Sequence, residues 1–159
     1  MGRRRLTYTD LCVADTPIVL DLCATWWKDS AWYLNTGMEF KSDPNYWYSL
    51  FAQGVMIGCV GRDDDNIARS CYVAVKQQYL FNQDYITASE VVWCLDEEHR
   101  TGRNLLELMS KIEDVLKRTG VDIYNLNLPL QEGHDRLNSK MKRMGFFDQD
   151  ISMFKEIKR

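Results

Sequence analysis

The stretch "EVVWCLDEEHRTGRNLLELMSKIE", residues 90–113, joins two differently patterned segments through a charged turn. Up to residue 95 it is rich in β-branched and aromatic residues, which is typical of a strand. From Leu105 onward the apolar residues recur every three or four positions, which predicts an amphipathic helix. A turn that opens a helix directs backbone N–H groups outward. We therefore interpret "DEEHRTGRNLL", residues 96–106, as a strand-to-helix anion-binding turn rather than a charged loop.

The remaining chain predicts a mixed α/β order in one continuous domain, residues 1–159. No repeat or linker interrupts it. Strands are predicted at 5–10, 54–62, 68–81, 85–95, 121–129 and 146–157. Helices are predicted at 16–28, at 44–52, between the turn and Gly120, and at 134–144, with a loop at 29–43. The β–α–β unit at 85–128 requires a crossover and hence a parallel strand pair, whereas the earlier strands should pair antiparallel.

Charge and cysteine content narrow the functional classes. The net charge is −3, so the chain has no overall attraction to nucleic acid or an anionic membrane. The longest uncharged stretch, 49–61, is too short to span a bilayer, and we expect a soluble, cytoplasmic protein. Five cysteines without a CxxC pair argue against a disulfide framework and a zinc site. Reduced, mostly buried thiols are the expectation, and two histidines do not support a metal centre.

This element order resembles the GNAT superfamily of acyl-CoA-dependent N-acyltransferases over almost the whole chain. Residues 90–113 look like its acetyl-CoA motif, and especially like a phage- and bacterial-type subgroup that reads E-x-x-W-x-V-x-x-E-H-R-G-G-R. The segment "LNSKMKRMGFF", residues 137–147, is similar to the family's short helix ending in "GF". The resemblance implies a single-domain α/β fold. Its central sheet would be mixed, with a parallel pair around the coenzyme site and helices on both faces.

The resemblance also implies acetyl-CoA as a co-substrate. The pantetheine arm would pair like an extra strand with the backbone of Trp93, Cys94 and Leu95. The pyrophosphate would lie at the loop formed by Arg100, Thr101, Gly102, Arg103, Asn104 and Leu105. Aligned without a gap, this loop has Arg103 at the family's glycine position and Leu105 at its Gly/Ala position. The Leu105 side chain either meets the phosphate or turns into the core.

Catalysis requires a proton to leave the amine and another to reach the thiolate. Glu90, on the strand before the motif, is either the general base or a solvated carboxylate without a role. The family's thiolate-protonating tyrosine position is Met141, which cannot donate a proton. Ser139 and Tyr124 are the candidates in its place. His99 lies beside the anion loop, where a positioning or surface role is expected rather than a base.

We expect an N-acetyltransferase that moves acetyl from acetyl-CoA to a small-molecule or protein amine by direct attack in a ternary complex. The alternative is a catalytically degenerate GNAT-fold interaction protein, such as a phage virion or host-takeover component, which Leu105 and Met141 favour. Aromatic residues in the early helices either wall an acceptor site or divide between the core and a protein contact, including a homodimer. These residues are Trp26, Trp27, Trp32, Tyr33, Tyr46, Trp47 and Tyr48.

Overall fold

The computed structural model describes residues 5–128 and 134–148, which divide into two compact units at Leu126/Asn127. The first unit holds a five-stranded sheet in the order β1-β2-β3-β4-β5. Its strands are β1 (Thr7–Asp10), β2 (Met56–Arg62), β3 (Ala68–Tyr79), β4 (Asn82–Leu95) and β5 (Ile123–Asn125). Its helices are α1 (Thr16–Trp27), α2 (Ala31–Thr36), α3 (Pro44–Ala52) and α4 (Gly102–Arg118). The second unit contributes α5 (His134–Arg143).

The pairing of the strands confirms the predicted mixed sheet. β1 to β4 pair antiparallel, and the crossover through α4 places β5 parallel to β4. The predicted loop 29–43 is wrong in part, because α2 lies within it. The Ser30 hydroxyl accepts a hydrogen bond from the Tyr33 amide and caps this helix, and Gly37 ends it in a left-handed conformation.

The strand bounds differ from the prediction. β1 and β2 each start two residues later than predicted, and β3 ends two residues earlier. β4 starts at Asn82 rather than residue 85, and β5 covers only three residues. The predicted last strand, 146–157, lies mostly outside the described residues, and its described part, 146–148, is not a strand. The predicted turn-to-helix junction is confirmed, since α4 starts at Gly102 directly after β4 and the turn.

Helices cover both faces of the sheet. On one face Val19 of α1 packs with Met56, Cys71 and Val73, and Trp47 of α3 closes the cluster. On the other face α4 packs against β1 and β2, and the Tyr8 hydroxyl donates to the Asn104 carbonyl at 3.3 Å. The buried stripe of α4 consists of Leu105, Leu108, Met109, Ile112, Val115 and Leu116. Within the described residues no helix combines the length and the apolarity needed to cross a bilayer.

A β-bulge interrupts β4 next to Glu90, the candidate general base. Val73 pairs with Val92 but its neighbour Ala74 pairs with Glu90, so Val91 is the extra residue. Val92 packs into the α1 face. Glu90 stands opposite Ala74, two residues from Tyr72 along β3, and therefore belongs to the α4 face. An uninterrupted strand would have placed Glu90 on the same face as Val92.

Asp10 ties β1 to α4, and its contribution to stability should depend on pH. The Asp10 Oδ1 atom lies 2.8 Å from Arg118 Nη2 and 2.6 Å from Lys111 Nζ. The hydrogen bonds from Arg118 and Lys111 lower the pKa of the Asp10 carboxyl from 3.8 to about 2. Because the folded-state pKa is the lower one, this stabilisation is complete above about 3.8 and is lost as the pH falls towards about 2.

We expect the contribution to stay below about 1 kcal/mol, since solvent screens half-exposed ion pairs. The check is chemical denaturation of the wild type and of Asp10→Asn across this pH range. The difference in free energy of unfolding should shrink as the pH falls. A constant difference would contradict the assignment.

Candidate functional site

The turn between β4 and α4 exposes helix amides. The Thr101 hydroxyl caps α4 by accepting from the Asn104 amide at 3.1 Å, and the Thr101 carbonyl accepts from the Leu105 amide at 3.1 Å. Within the described residues the amides of Gly102 and Arg103 have no acceptor. These two N–H groups lie at the positive end of a 17-residue helix, which is the arrangement that favours an anion.

The side chains of the turn divide into outward and inward ones. Arg103 is 54% exposed and its Nε donates to Glu107 at 2.9 Å. Arg100 is also exposed, and its Nε donates to the Leu95 carbonyl at 3.0 Å, which links the end of β4 to the turn. Asn104 is buried and donates to the His99 carbonyl at 2.9 Å. Leu105 is buried with the α4 stripe, so its side chain turns into the core rather than towards the loop.

His99 is buried, and the surface role considered for it is wrong. Its side chain is 2% exposed, and Nδ1 lies 4.0 Å from the Asp96 carboxylate. Its carbonyl accepts from the Thr101 amide at 2.7 Å and from the Asn104 side chain at 2.9 Å. His99 therefore holds the shape of the turn through its backbone.

β4 has an edge that β5 does not cover. Pairing with β5 ends at Ser89 and Asn125, and the Asn125 side chain accepts from the Glu90 amide at 3.0 Å. Within the described residues no strand pairs with 90–95 on this side. Beyond its pairing with β5, β4 therefore continues to Leu95 and leads directly to the turn before α4.

The backbone groups of β4 alternate between β3 and this edge. The Asp96 amide donates to the Arg69 carbonyl of β3 at 2.8 Å. The alternation then directs the N–H and C=O of Cys94 towards β3, and those of Trp93 and Leu95 towards the edge. Of the three residues predicted to pair with pantetheine, Trp93 and Leu95 have the orientation that such pairing needs.

Glu90 shares the α4 face with two tyrosines. Tyr72 is diagonal to it on β3, and Tyr124 lies opposite Ala88 on β5, also diagonal to Glu90. Burial and then the charge of Glu90 raise the pKa of Tyr72, and burial followed by the charge of Glu113 raises the pKa of Tyr124 to about 12. Both hydroxyls therefore keep their protons at neutral pH and can donate hydrogen bonds.

Tyr72 is a neighbour of Glu90 that the sequence pattern did not identify as a candidate site residue. It is fully buried, and its hydroxyl has no hydrogen-bond partner within the described residues. Its place in the alternating pattern of 68–81 signalled only an inward-facing side chain. The other predicted proton donor, Ser139, lies in α5 of the second unit, where its carbonyl accepts from Arg143 Nε at 3.3 Å. Within the first unit, Tyr124 lies on the same face of the sheet as Glu90.

The early aromatic residues divide between the core and the surface. Trp26 and Trp47 pack against the core cluster of the α1 face. Trp32, Tyr33 and Tyr46 are exposed by 43%, 37% and 63%. The early aromatic residues are therefore not all part of the core.

The strand order and the crossover helix are consistent with the GNAT fold. No protein-family model and no curated protein matches the chain. Solved structures do match. An aminoglycoside acetyltransferase from an uncultured soil metagenomic sample is similar with a TM-score of 0.75 at 10% identity, covering 97% of this chain and 99% of that one.

Two further structures extend this similarity to other acetyltransferases. A predicted acetyltransferase with acetyl-CoA from Clostridium acetobutylicum gives a TM-score of 0.68 at 11% identity, covering 96% of both chains. Glucosamine-6-phosphate N-acetyltransferase from Arabidopsis thaliana gives 0.69 at 10% identity, covering 97% of this chain and 99% of that one. At these identities the likeness establishes the fold, and the substrates belong to those proteins.

Proposed function

We propose that this protein is an N-acetyltransferase that moves acetyl from acetyl-CoA to an amine acceptor. The observation that carries the proposal is that β4, beyond its pairing with β5, leads directly to the N-terminal amides of α4. An extended amide-containing arm can pair with such an edge while a diphosphate meets the amides. The similarity in fold to acetyltransferases, one of them with acetyl-CoA, supports the same reading.

The turn before α4 and the end of β4 would bind different parts of the coenzyme. The amides of Gly102 and Arg103 would receive the pyrophosphate, and the guanidinium groups of Arg103 and Arg100 would add charge-assisted hydrogen bonds. Trp93 and Leu95 would pair with the pantetheine amides. Thr101, Asn104 and Leu105 would hold the turn rather than touch the coenzyme, because their polar groups or side chains are directed inward.

The chemical step is direct attack by the amine nitrogen on the thioester carbonyl carbon. A C–N bond forms, the C–S bond breaks, and the sulfur leaves as a thiolate. Glu90 would accept the proton of the incoming ammonium, directly or through water. Tyr124 would supply a proton to the thiolate, since its hydroxyl lies on the same face as Glu90 and remains protonated. Ser139 is the alternative donor.

The acceptor would be a small molecule or a protein with an exposed amine. Exposed Trp32, Tyr33 and Tyr46 could contact a cationic acceptor or a second protein. The alternative of a catalytically degenerate protein rests on Met141 alone, since Leu105 is turned into the core. The binding experiment below separates the two functions.

Acetyl-CoA titrated into the full-length protein should release heat and raise the melting temperature with the logarithm of the ligand excess. Arg103→Ala should weaken binding about tenfold, since a hydrogen bond to a charged group is worth about 1.5–3 kcal/mol and Arg103 is partly exposed. The matched control is Lys117→Ala, which removes a cation from the far end of the same helix and should leave the affinity unchanged.

Two results would count against the proposal. No heat and no melting shift at millimolar acetyl-CoA would exclude an acetyl-CoA-dependent enzyme and favour the interaction protein. Equal losses in Arg103→Ala and Lys117→Ala would show that binding follows net charge rather than the turn.

A further inference from the structure

Three of the five cysteines meet on the α1 face of the sheet. Cys71 of β3 and Cys94 of β4 are register partners, and their Sγ atoms lie 3.2 Å apart. Cys94 Sγ also lies 3.6 Å from the Cys71 carbonyl. Cys23 of α1 contacts Cys71 from the helix side. All three are free thiols, and neither the acetyl transfer nor the coenzyme site uses their sulfur atoms.

The geometry of Cys71 and Cys94 is close to that of a disulfide. Directly opposed residues of an antiparallel pair have Cα atoms about 4.5–5.5 Å apart. A disulfide needs a Cα separation of about 4.4–6.8 Å, so the backbone already meets this requirement. The sulfur atoms need only rotate towards each other about their Cα–Cβ bonds.

Access differs between the two sulfur-bearing residues. Cys71 is fully buried, whereas Cys94 is partly exposed on the strand with the open edge. The hydrogen bond with Cys23 lowers the pKa of the Cys71 thiol, but the hydrogen bond with Cys94 and burial together raise this pKa by more. Cys71 therefore stays a protonated thiol. An oxidant would therefore react at Cys94, and Cys71 would resolve the product.

We propose that Cys71 and Cys94 are a site of reversible oxidation, at which hydrogen peroxide produces a disulfide between β3 and β4. In the first step the Cys94 sulfur attacks one peroxide oxygen, the O–O bond breaks, and sulfenic acid and one water form. In the second step the Cys71 sulfur attacks Cys94 Sγ, the S–O bond breaks, and the hydroxyl leaves as a second water. Two thiols are oxidised and one peroxide is reduced, so no other reactant is needed.

The competing expectation is that these thiols act only as small buried hydrophobic groups. The chain offers an internal comparison. Cys59 is buried on the opposite face of β2, opposite Tyr72, and Cys12 is exposed in a loop. Each lies away from the cluster. A reaction governed by exposure would favour Cys12, and one governed by proximity would favour Cys71 and Cys94.

The test treats the full-length protein with millimolar hydrogen peroxide and measures intact mass and alkylatable thiols after denaturation. The mass should fall by two hydrogens, the thiol count should drop by two, and dithiothreitol should reverse both. A non-reducing peptide map should identify Cys71 linked to Cys94. Cys94→Ser should abolish the loss of two hydrogens, whereas Cys59→Ser should leave its yield unchanged.

Three results would overturn the proposal. One is a gain of oxygen without the loss of two hydrogens, and another is a disulfide between Cys71 and Cys23. The third is an intact mass that peroxide treatment leaves unchanged, together with Cys12 as the only cysteine that an alkylating reagent modifies before denaturation. All are read on the wild-type protein, so the conclusion does not depend on any variant folding, and none depends on acetyl-CoA binding.

Discussion

Replacing Glu90 by glutamine should lower kcat for acetyl transfer by about a hundredfold to ten-thousandfold, the range expected for loss of a general base. Glutamine keeps the size and hydrogen-bonding capacity of the side chain but cannot take the ammonium proton. The bulge at Val91 and the Asn125 contact to the Glu90 amide involve the backbone, so the strand should keep its shape. The dissociation constant of acetyl-CoA should therefore stay the same.

The measurement is thiol release from acetyl-CoA with a panel of primary amines, including aminoglycosides, amino sugars and peptide N-termini. Asp64→Asn is the matched control, because it neutralises an exposed carboxylate on the β2–β3 turn. If Glu90→Gln and Asp64→Asn both retain wild-type kcat, Glu90 is a solvated carboxylate and the base must be sought elsewhere. Binding measured by calorimetry distinguishes this result from a failure to bind the coenzyme.

Gly58→Ala should destabilise the protein by about 3 kcal/mol or more, because overpacking against backbone leaves no inexpensive relaxation. Gly58 lies in β2 opposite Val73. A Cβ at this position would overlap the carbonyl oxygen of Tyr72 and lie 2.8 Å from Leu11 Cδ1. Relief requires separating β2 from β3, the strand that carries Tyr72 and Cys71.

Gly120→Ala is the matched control for this prediction. Gly120 has a φ of +74°, and a Cβ there meets nothing within 4 Å. Its cost should be limited to the left-handed backbone conformation, about 1–2 kcal/mol. Urea denaturation of the two variants compares them directly. Equal free energies of unfolding would show that β2 and β3 can move apart, contrary to the packing described.

Much of the fold follows from local patterns in the sequence. The three-to-four spacing from Leu105 to Leu116 predicts α4 because only one stripe of that helix is buried. The Asp43-Pro44 pair predicts the start of α3, and the Asp43 carboxylate does accept from the Asn45 amide at 2.9 Å. The turn between β4 and α4 was recognisable because a strand, a turn and a helix start follow one another in the chain.

Other features depend on contacts between segments distant in the chain. The end of β5 pairing at Asn125 is set by the contact between β4 and β5, and no periodicity in the sequence indicates it. Tyr72 joins Glu90 only through the register of β3 and β4. The orientation of Leu105 could not be decided from the loop motif, because its burial depends on the sheet beneath α4. The sequence therefore orders the candidate residues along the chain, whereas strand register and helix packing determine which of them lie together.

The bulge of β4 changes which residues of the strand face each side of the sheet. A spacing of two residues separates Glu90, Val92 and Cys94, yet Glu90 lies on the α4 face and the other two lie on the α1 face. Deleting Val91, the extra residue, would remove the bulge and leave every remaining side chain of β4 on its present face. Deleting a residue further along would invert the strand beyond it. Tolerance of β4 to changes in length is thus concentrated at Val91, beside the carboxylate on which catalysis is proposed to depend.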